Sequence, residues 1–534
     1  MKTVKHTLTE NSIVLIISTA IVKIIGAVFK IPLATDRFLG DIGFGYFSVA
    51  HDIYMPFYVL AMLGLPSAVS QITAKYIAQK NYYSVKENFK ITRKLFVILG
   101  LIFSLLVAIL SVPLFLSSAS EKSTVLSILA IIPSIFLCFI ISVYRGYFEG
   151  FNNMYPTAVS KIIEAVFKLG LGLVLSYVVI KTTYNPALAS ASAMLAISFG
   201  TLISLLYLTL KLKRHNPLKD KEISNLTKNE SNVTVKNIMI LAVPYVLASL
   251  SASLVALVDV LTVKTYISNA TVNYLGVVSQ NLNVNLSDIS TYLYGLRSKA
   301  FTIYYLIPTV TMSIGVGALP LLTEYRTKND NTSLKMNTNF SLKLISTLTF
   351  PAAFGLIFLS RPIMNLLYSS NDSLSGNLLL LYGIAAIFAG FAIPLTTIIQ
   401  ALNFRRFAVR SIIIGLVIKI VTNIFFVLFP NINIYAAPLG TVLCYLFMSV
   451  YLIVVLQRKS RDIDYKNVIL KPFFSALICG AAAFGISLFS TQKAVTLIAI
   501  LIAILVYFSF LLIFKTFTKN ELCDIPFVKK LIKK

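Results

Sequence analysis

The chain has 534 residues, of which 57% are hydrophobic and 13% are charged, and its mean hydropathy is +0.83. Soluble domains carry about 25% charged residues, so this composition excludes a water-soluble enzyme, a disordered chain and a single-pass receptor. A formal charge of +27 would suggest a nucleic-acid partner in a soluble protein, but here the charges lie between long apolar stretches. We therefore expect an all-α polytopic membrane protein.

Apolar stretches long enough to cross a bilayer recur along the whole chain. A hydrocarbon core about 30 Å thick needs about 20 apolar residues per helix, and charge clusters or Pro, Gly and Asn breaks separate the stretches. The sequence predicts fourteen transmembrane helices, at residues 12–33, 44–73, 95–116, 124–144, 157–180, 186–210, 237–263, 300–322, 341–360, 376–402, 408–429, 434–456, 467–489 and 494–514.

The basic residues are distributed unevenly between the two sides of these spans. Most of the 47 Lys and Arg residues lie in the amino terminus, in every second loop and in the carboxyl-terminal tail. Cytoplasmic segments of membrane proteins carry such an excess, so we predict a multi-pass protein of the cytoplasmic membrane with both termini in the cytoplasm. This charge is expected to contact anionic membrane lipids, and no nucleic-acid partner is expected.

The sequence offers little that could hold a cofactor. Its four cysteines form no Cys-x-x-Cys pair and it has three histidines, a pattern that favours neither a disulfide framework nor a metal site. The chain also lacks a Gly-Lys dipeptide, the usual setting of a P-loop lysine. We therefore expect that the protein is not an enzyme and binds no cofactor. If it transports a substrate, the energy is expected to come from a gradient or from the substrate itself. Either Na⁺ or H⁺ could be the coupling ion.

Two segments of the first half recur in the second half. Residues 64–68, around Pro66, match residues 318–322, around Pro320, and residues 160–168 match residues 411–419. Such repetition predicts two six-helix lobes related by a pseudo-twofold axis along the membrane normal, plus a carboxyl-terminal helix pair. The predicted domains are an N-lobe at 1–210, a cytoplasmic linker at 211–236, a C-lobe at 237–457, and the last two helices with the tail at 458–534.

Short motifs follow one another along the chain in a recognisable order. They lie at residues 22–27, 31–33, 43–50, 64–70, 144–150, 156–158, 294–295, 308, 318–320 and 415–423. In this order they resemble the stage V sporulation protein B and MurJ-like branch of the multidrug/oligosaccharidyl-lipid/polysaccharide exporter superfamily. The resemblance covers roughly residues 10–460.

The resemblance implies a flippase that carries polyprenyl-pyrophosphate-linked saccharides, such as the peptidoglycan precursor lipid II, from the inner to the outer leaflet by alternating access. It also implies a V-shaped pair of lobes, with an apolar groove for the lipid tail on the last two helices. The sequence departs from the branch at His51 and Asp52, where the branch has an aromatic-proline pair or a cation, and at the eighth span, whose cation is Arg297 or Lys299. Because of these departures, the sequence does not identify which saccharide is carried.

Charged residues inside a membrane are costly and mark candidate sites. Each costs about 3 kcal/mol where it faces lipid, so we expect each to face a partner or a wet cavity. We single out seven such residues within the predicted spans: Lys23, Lys30, Asp52, Glu164, Lys168, Asp259 and Lys419.

Lys23 and Lys30 lie seven residues apart and therefore share one face of the first span. A diphosphate cannot enter hydrocarbon alone, because the desolvation of an isolated ion costs far more than folding can offset. The predicted substrate-binding residues are these two lysines, Asp52, Arg297 and Lys299. The alternative for Lys30 is that its side chain extends to the outer interface.

The predicted coupling or gating residues are His51, Asp259 and Asn423. His51 and Asp52 could form a proton-sensitive pair or an ordinary polar contact. Three alternatives remain for Asp259: a pair with a lysine of the first span, a cation site that includes Asn423, or a structural pair with Lys264.

The fifth predicted span carries a candidate structural ion pair. Glu164 and Lys168 are four residues apart, in the orientation that favours an intrahelical pair. Lys419 has no acid at that spacing, so its partner is expected from another helix.

Two other functions stay open on sequence grounds. The first is an antiporter of cationic drugs from the same superfamily, which is expected to carry acidic residues in its central helices. A membrane-embedded glycosyltransferase or polymerase needs catalytic groups on the outer loops, and these loops carry only scattered acids and no histidine. Protein partners and oligomeric state are not predicted.

Overall fold

A computed structural model describes residues 18–19, 21–116, 119–214, 250, 252–270, 288–369, 373–429, 432–460, 463–489 and 492–517. Within these ranges every regular element is a helix. Twelve candidate spans among the described residues are long and apolar enough to cross a membrane. The prediction of an all-helical, multi-pass membrane protein is therefore confirmed.

The chain divides into two compact units, of which the first is Met1–Ser298. Two π-helical turns, Leu60–Gly64 and Val260–Lys264, interrupt its helices. The described helices of this unit are α1 (21–33), α2 (Gly40–Val59), α3 (Leu65–Ala78), α4 (Tyr82–Leu116), α5 (Ala119–Gly150), α6 (Tyr155–Thr183), α7 (Pro186–Arg214), α8 (252–259), α9 (Thr265–Ala270) and the greater part of α10 (Ile289–Tyr304).

The second unit is Lys299–Lys534. Its core contains fully buried apolar side chains such as Leu322, Leu395 and Leu456. Its α-helices after α10 are α11 (Leu306–Thr327), α12 (Asn331–Phe358), α13 (Ser360–Tyr368), α14 (Ser373–Ala401), α15 (Arg405–Val427), α16 (Ala436–Ser460), α17 (Lys471–Ser487) and α18 (Lys493–Ile513). A 3-10 helix, Asn433–Tyr435, precedes α16, and a π-helical turn, Lys466–Leu470, precedes α17.

Two of the fourteen predicted spans extend beyond the described residues. The described parts of the first and seventh spans, 21–33 and 252–263, are helical. The predicted linker lies outside the described residues from residue 215 to its end, and its first residues continue α7. The count of fourteen helices, the domain bounds and the pseudo-twofold axis therefore stay predictions.

The eighth span begins earlier than the sequence predicted. We placed it at 300–322, whereas the candidate span runs over Ile289–Thr327 and includes both α10 and α11. The polar residues at 290–299 resemble a loop in sequence, but side chains such as Ser290 and Arg297 are buried in the structure. Arg297 is therefore part of a helix and not of a loop.

Several helices expose apolar side chains over much of their length. Leu105 on α4 and Leu505 on α18 are among the large apolar residues with high exposure. A helix that is apolar around most of its circumference is typical of a membrane span. These faces are suited to contact with lipid.

Candidate functional site

A cluster of charged and polar side chains lies inside the first unit. Four helices, α1, α2, α8 and α10, contribute to it. We call it the Arg297 cluster, and its members are Lys30, His51, Asp52, Asp259, Tyr294 and Arg297.

Arg297 is the centre of this cluster and is fully buried. Its Nη1 donates to Oδ2 of Asp52 over 3.1 Å, and its Nη2 donates to Oδ2 of Asp259. The guanidinium group presents several N–H donors in a planar fork, so it can hold two carboxylates at once. One arginine on α10 therefore links α2 to α8.

Tyr294 supports this arrangement from one helical turn before Arg297. Its hydroxyl donates to Oδ2 of Asp52 over 2.8 Å, and Nη1 of Arg297 lies 3.4 Å from the same hydroxyl. The guanidinium carbon lies 5.2 Å from the centroid of the Tyr294 ring. The carboxylate of Asp52 thus has two donors on α10, which hold it in one orientation.

Lys30 and His51 form the side of the cluster that faces α1. Nζ of Lys30 lies 3.5 Å from Nδ1 of His51, and this nitrogen lies 3.6 Å from Oδ1 of Asp52. The His51 ring stacks on Phe47 at a centroid distance of 5.7 Å, while Lys30 is half-buried. Lys30 and Arg297 thus place positive charge next to the two carboxylates.

The backbones of α2 and α10 approach closely beside the cluster. A Cβ atom on Gly45 would lie 2.1 Å from the carbonyl oxygen of Thr291, and one on Gly295 would lie 2.1 Å from that of Asp41. Only glycine permits this approach, because it has no side chain. The short distance between the helices allows Asp52 to reach donors on α10.

The sequence left three alternatives open for the interaction of Asp259. The structure pairs it with Arg297, a partner that none of our three alternatives named. Lys264, the proposed structural partner, pairs with Glu121 at the start of α5. The gating role of Asp259 remains a prediction.

Lys23 and Lys168 lie in the same unit. Lys23 is half-buried on α1, on the helix that also carries Lys30. Nζ of Lys168 lies 5.2 Å from the centroid of the Phe29 ring, and its charge acts on Lys30 and His51. Lys168 therefore adds positive charge near the α1 side of the Arg297 cluster, and Lys23 lies about two helical turns before Lys30 on α1.

Glu164 has a partner from another helix. Its Oε2 accepts from Nη2 of Arg145 over 2.9 Å, and Nε of the same arginine donates to Ser160 over 2.9 Å. We expected an intrahelical pair with Lys168, but the buried guanidinium comes from α5, which runs to Gly150 and past the predicted end of that span at residue 144. Arg145 was therefore missed by sequence reasoning.

The Arg145 contact predicts a difference between two substitutions. Arg145→Gln should lower the free energy of unfolding by about 3–5 kcal/mol, because it leaves a buried carboxylate without its cation. Lys168→Gln should cost about 1–2 kcal/mol, since it removes a cation–π contact. Unfolding of the two purified variants in detergent measures this difference, and the reverse order would make Lys168 the important partner of Glu164.

Two predicted site residues belong to the second unit. Lys299 is buried, with its Nζ 5.3 Å from the centroid of the Tyr368 ring, and its carbonyl accepts from the Tyr368 hydroxyl over 3.4 Å. Asn423 is fully buried on α15 against Gly440 of α16.

Comparison with known proteins gives a family match and relatives that are 26–27% identical over most of the chain. The family described as polysaccharide biosynthesis protein matches residues 8–326. Stage V sporulation protein B of Bacillus subtilis (strain 168) is 26% identical over 542 residues, which cover 99% of each chain. Lipid II flippase MurJ of the same organism is 27% identical over 497 residues, or 88% of this chain and 87% of the relative.

Solved structures share the fold at low identity. Lipid II flippase MurJ in an inward closed conformation has a TM-score of 0.69 and 18% identity, and the match covers 94% of this chain and 98% of that chain. An inward-facing multidrug resistance transporter of the MATE family has a TM-score of 0.64 and 14% identity, over 82% and 94% of the two chains.

Proposed function

Because the chain belongs to the polysaccharide biosynthesis protein family of transporters, we propose that it is a flippase for a polyprenyl-pyrophosphate-linked saccharide. Lipid II or a related cell-wall or polysaccharide precursor is the proposed cargo, moved from the inner to the outer leaflet. The resemblance seen in the sequence is confirmed by these relatives, and the family is one of transporters and not of enzymes.

One observation carries the proposal: a buried guanidinium lies between two carboxylates beside a helix that carries two lysines. A lipid diphosphate carries about two negative charges and needs counter-charge inside the membrane. Arginine is suited to bidentate contact with phosphate oxygens, and flexible lysines can follow a moving anion. Arg297, Lys30 and Lys23 are the proposed binding groups, and Lys299 is a further candidate in the second unit.

The two acids of the cluster suggest how binding could be linked to conformational change. In the structure Asp52 and Asp259 neutralise Arg297. An arriving diphosphate can replace these carboxylates as the anionic partner of the guanidinium. Asp52 and Asp259 then act as substitutes for the substrate anion in the unloaded protein. When His51 gains a proton, its positive charge can pair with Asp52 in place of Arg297.

The membrane potential is the proposed driving force. Moving one charge through 100 mV is worth about 2.3 kcal/mol, so two negative charges moved outward gain about 4.6 kcal/mol. With both termini in the cytoplasm, as the basic loops predict, this direction is from the inner to the outer leaflet. An inward flow of Na⁺ or H⁺ would add to this energy.

An antiporter of cationic drugs is supported less well. The MATE transporter shares the fold, and buried acids are the groups that would bind an organic cation. Here Asp52 and Asp259 are paired with the guanidinium of Arg297, and α1 adds two lysines, so the cluster has no excess of negative charge for an organic cation.

The lysines of α1 give the first test. Lys23→Ala and Lys30→Ala should each lower transport about tenfold or more, since a factor of ten corresponds to about 1.4 kcal/mol and each lysine supplies charge to the diphosphate. The measurement uses the full-length protein in liposomes with a fluorescent polyprenyl-pyrophosphate saccharide, under an imposed membrane potential.

Lys181→Ala is the matched control, because Lys181 is an exposed lysine at the end of α6. It should transport at the wild-type rate. The proposed function fails if the wild-type protein does not move the labelled lipid. The proposed binding role fails if both α1 variants match Lys181→Ala.

A further inference from the structure

Lys419 is a fully buried lysine of α15 whose ammonium group faces α16. Its Nζ donates to the hydroxyl oxygen of Thr441 over 2.8 Å and to the carbonyl oxygen of Ala437 over 3.2 Å. The Thr441 hydroxyl donates its own proton to the Ala437 carbonyl over 2.7 Å. Its lone pairs are therefore available to the ammonium, and two uncharged oxygens of α16 serve as acceptors.

A third oxygen packs between the same two helices. Asn423 follows Lys419 by one helical turn and is fully buried. A Cβ atom on Gly440 would lie 2.0 Å from the side-chain oxygen of Asn423, so this oxygen packs against the backbone of α16 next to Thr441. A carbonyl, a hydroxyl and an amide oxygen are thus gathered where two helices of the second unit meet.

Uncharged oxygens of these types coordinate alkali cations inside membrane proteins. An ammonium group and an alkali cation both carry one positive charge, and both need oxygens in place of the water lost on burial. We propose that the Lys419 ammonium is a built-in cation in an oxygen site that otherwise takes a soluble monovalent alkali cation. The natural protein then has no need of soluble Na⁺ or K⁺ at this place.

Lys419→Ala tests this inference, because it removes the ammonium and leaves the oxygens. An alkali cation should then bind to the variant and stabilise it, whereas the wild-type protein should show no such response. At a cation concentration ten times the dissociation constant, the melting temperature should rise by about 3 °C for a unit of this size. The measurement is thermal unfolding of the purified full-length protein in NaCl, KCl or choline chloride at equal ionic strength.

Two controls separate cation binding from other effects. Adding Thr441→Val to Lys419→Ala removes an oxygen ligand and should abolish the response to the cation. Lys343→Ala removes another buried lysine, on α12 of the same unit, and should show no response to Na⁺ or K⁺.

Lys419→Ser is the second variant if the alanine variant does not fold. The inference is overturned if Na⁺ and K⁺ stabilise neither variant relative to choline, or if they stabilise the wild-type protein equally. It is also overturned if neither variant folds in any of these salts, since a soluble cation then cannot replace the ammonium. No transport is measured, so this result is independent of the proposed substrate.

Discussion

Replacing Arg297 with alanine should abolish transport and lower the free energy of unfolding by about 3–5 kcal/mol. The guanidinium contacts Asp52 and Asp259 inside the first unit, so its removal takes away the cation that neutralises two buried carboxylates. It also removes the group best suited to bind a diphosphate. Transport is measured in liposomes with the labelled lipid, and stability by thermal unfolding of the purified variant.

A triple variant separates these two effects. Arg297→Ala combined with Asp52→Asn and Asp259→Asn removes all three charges, so the buried site no longer contains carboxylates without their cation. Replacing a buried ion pair by neutral groups is often close to neutral in stability, and we expect stability to return toward that of the wild-type protein. Transport should remain absent, because the diphosphate still lacks its guanidinium.

Recovery of transport in the triple variant would contradict a binding role for Arg297. In that case the arginine would serve only to neutralise the two acids. Asp52→Asn alone provides a further comparison, since it leaves the Asp259 contact in place and should cost less stability than Arg297→Ala.

Placing a methyl group on Gly45 or Gly295 should reduce transport about tenfold or more and destabilise the first unit. In each case the new Cβ would lie 2.1 Å from a backbone oxygen of the facing helix, so the backbone of α2 or α10 must move. Overpacking of this kind typically costs about 1–3 kcal/mol or more. The shift also separates Asp52 from its donors Tyr294 and Arg297.

Gly170→Ala is the matched control for these substitutions. Gly170 lies inside α6 of the same unit, with open space where its Cβ would stand. A helical alanine there should be neutral or stabilise by up to about 1 kcal/mol. If Gly45→Ala and Gly295→Ala behave like Gly170→Ala in transport and unfolding, the close approach of α2 and α10 is not needed for function.

The charged residues of the site could be predicted one at a time, but not their partners. Lys30, Asp52 and Asp259 were selected from the sequence because a charge inside an apolar span needs a reason, and His51 and Arg297 because the sequence departs there from the family that it resembles. The structure brings these five into one cluster. Asp52 and Arg297 are 245 residues apart in the chain, so no local pattern could join them.

Tyr294 and Arg145 were not predicted as site residues for the same reason: their partners are known only from the structure. Tyr294 was seen only as part of a motif, and its hydroxyl matters because Asp52 lies next to it in space. Arg145 was placed in a loop, since hydropathy alone ended the span at residue 144, whereas α5 continues to Gly150 and buries the guanidinium beside Glu164. A signal for both was present in the polar residues adjoining the predicted spans.

The amino-acid sequence by itself determined that this is a helical membrane protein of a transporter family. About 20 apolar residues suffice to make a membrane span whatever their neighbours are, and the order of short motifs indicated the family. Only the tertiary structure decided which acid holds which cation, where α10 begins, and that Lys419 lies among oxygens of α16. Burial of a charge is tolerated only when a partner from elsewhere in the chain replaces water, and such a partner is known only once the helices have packed.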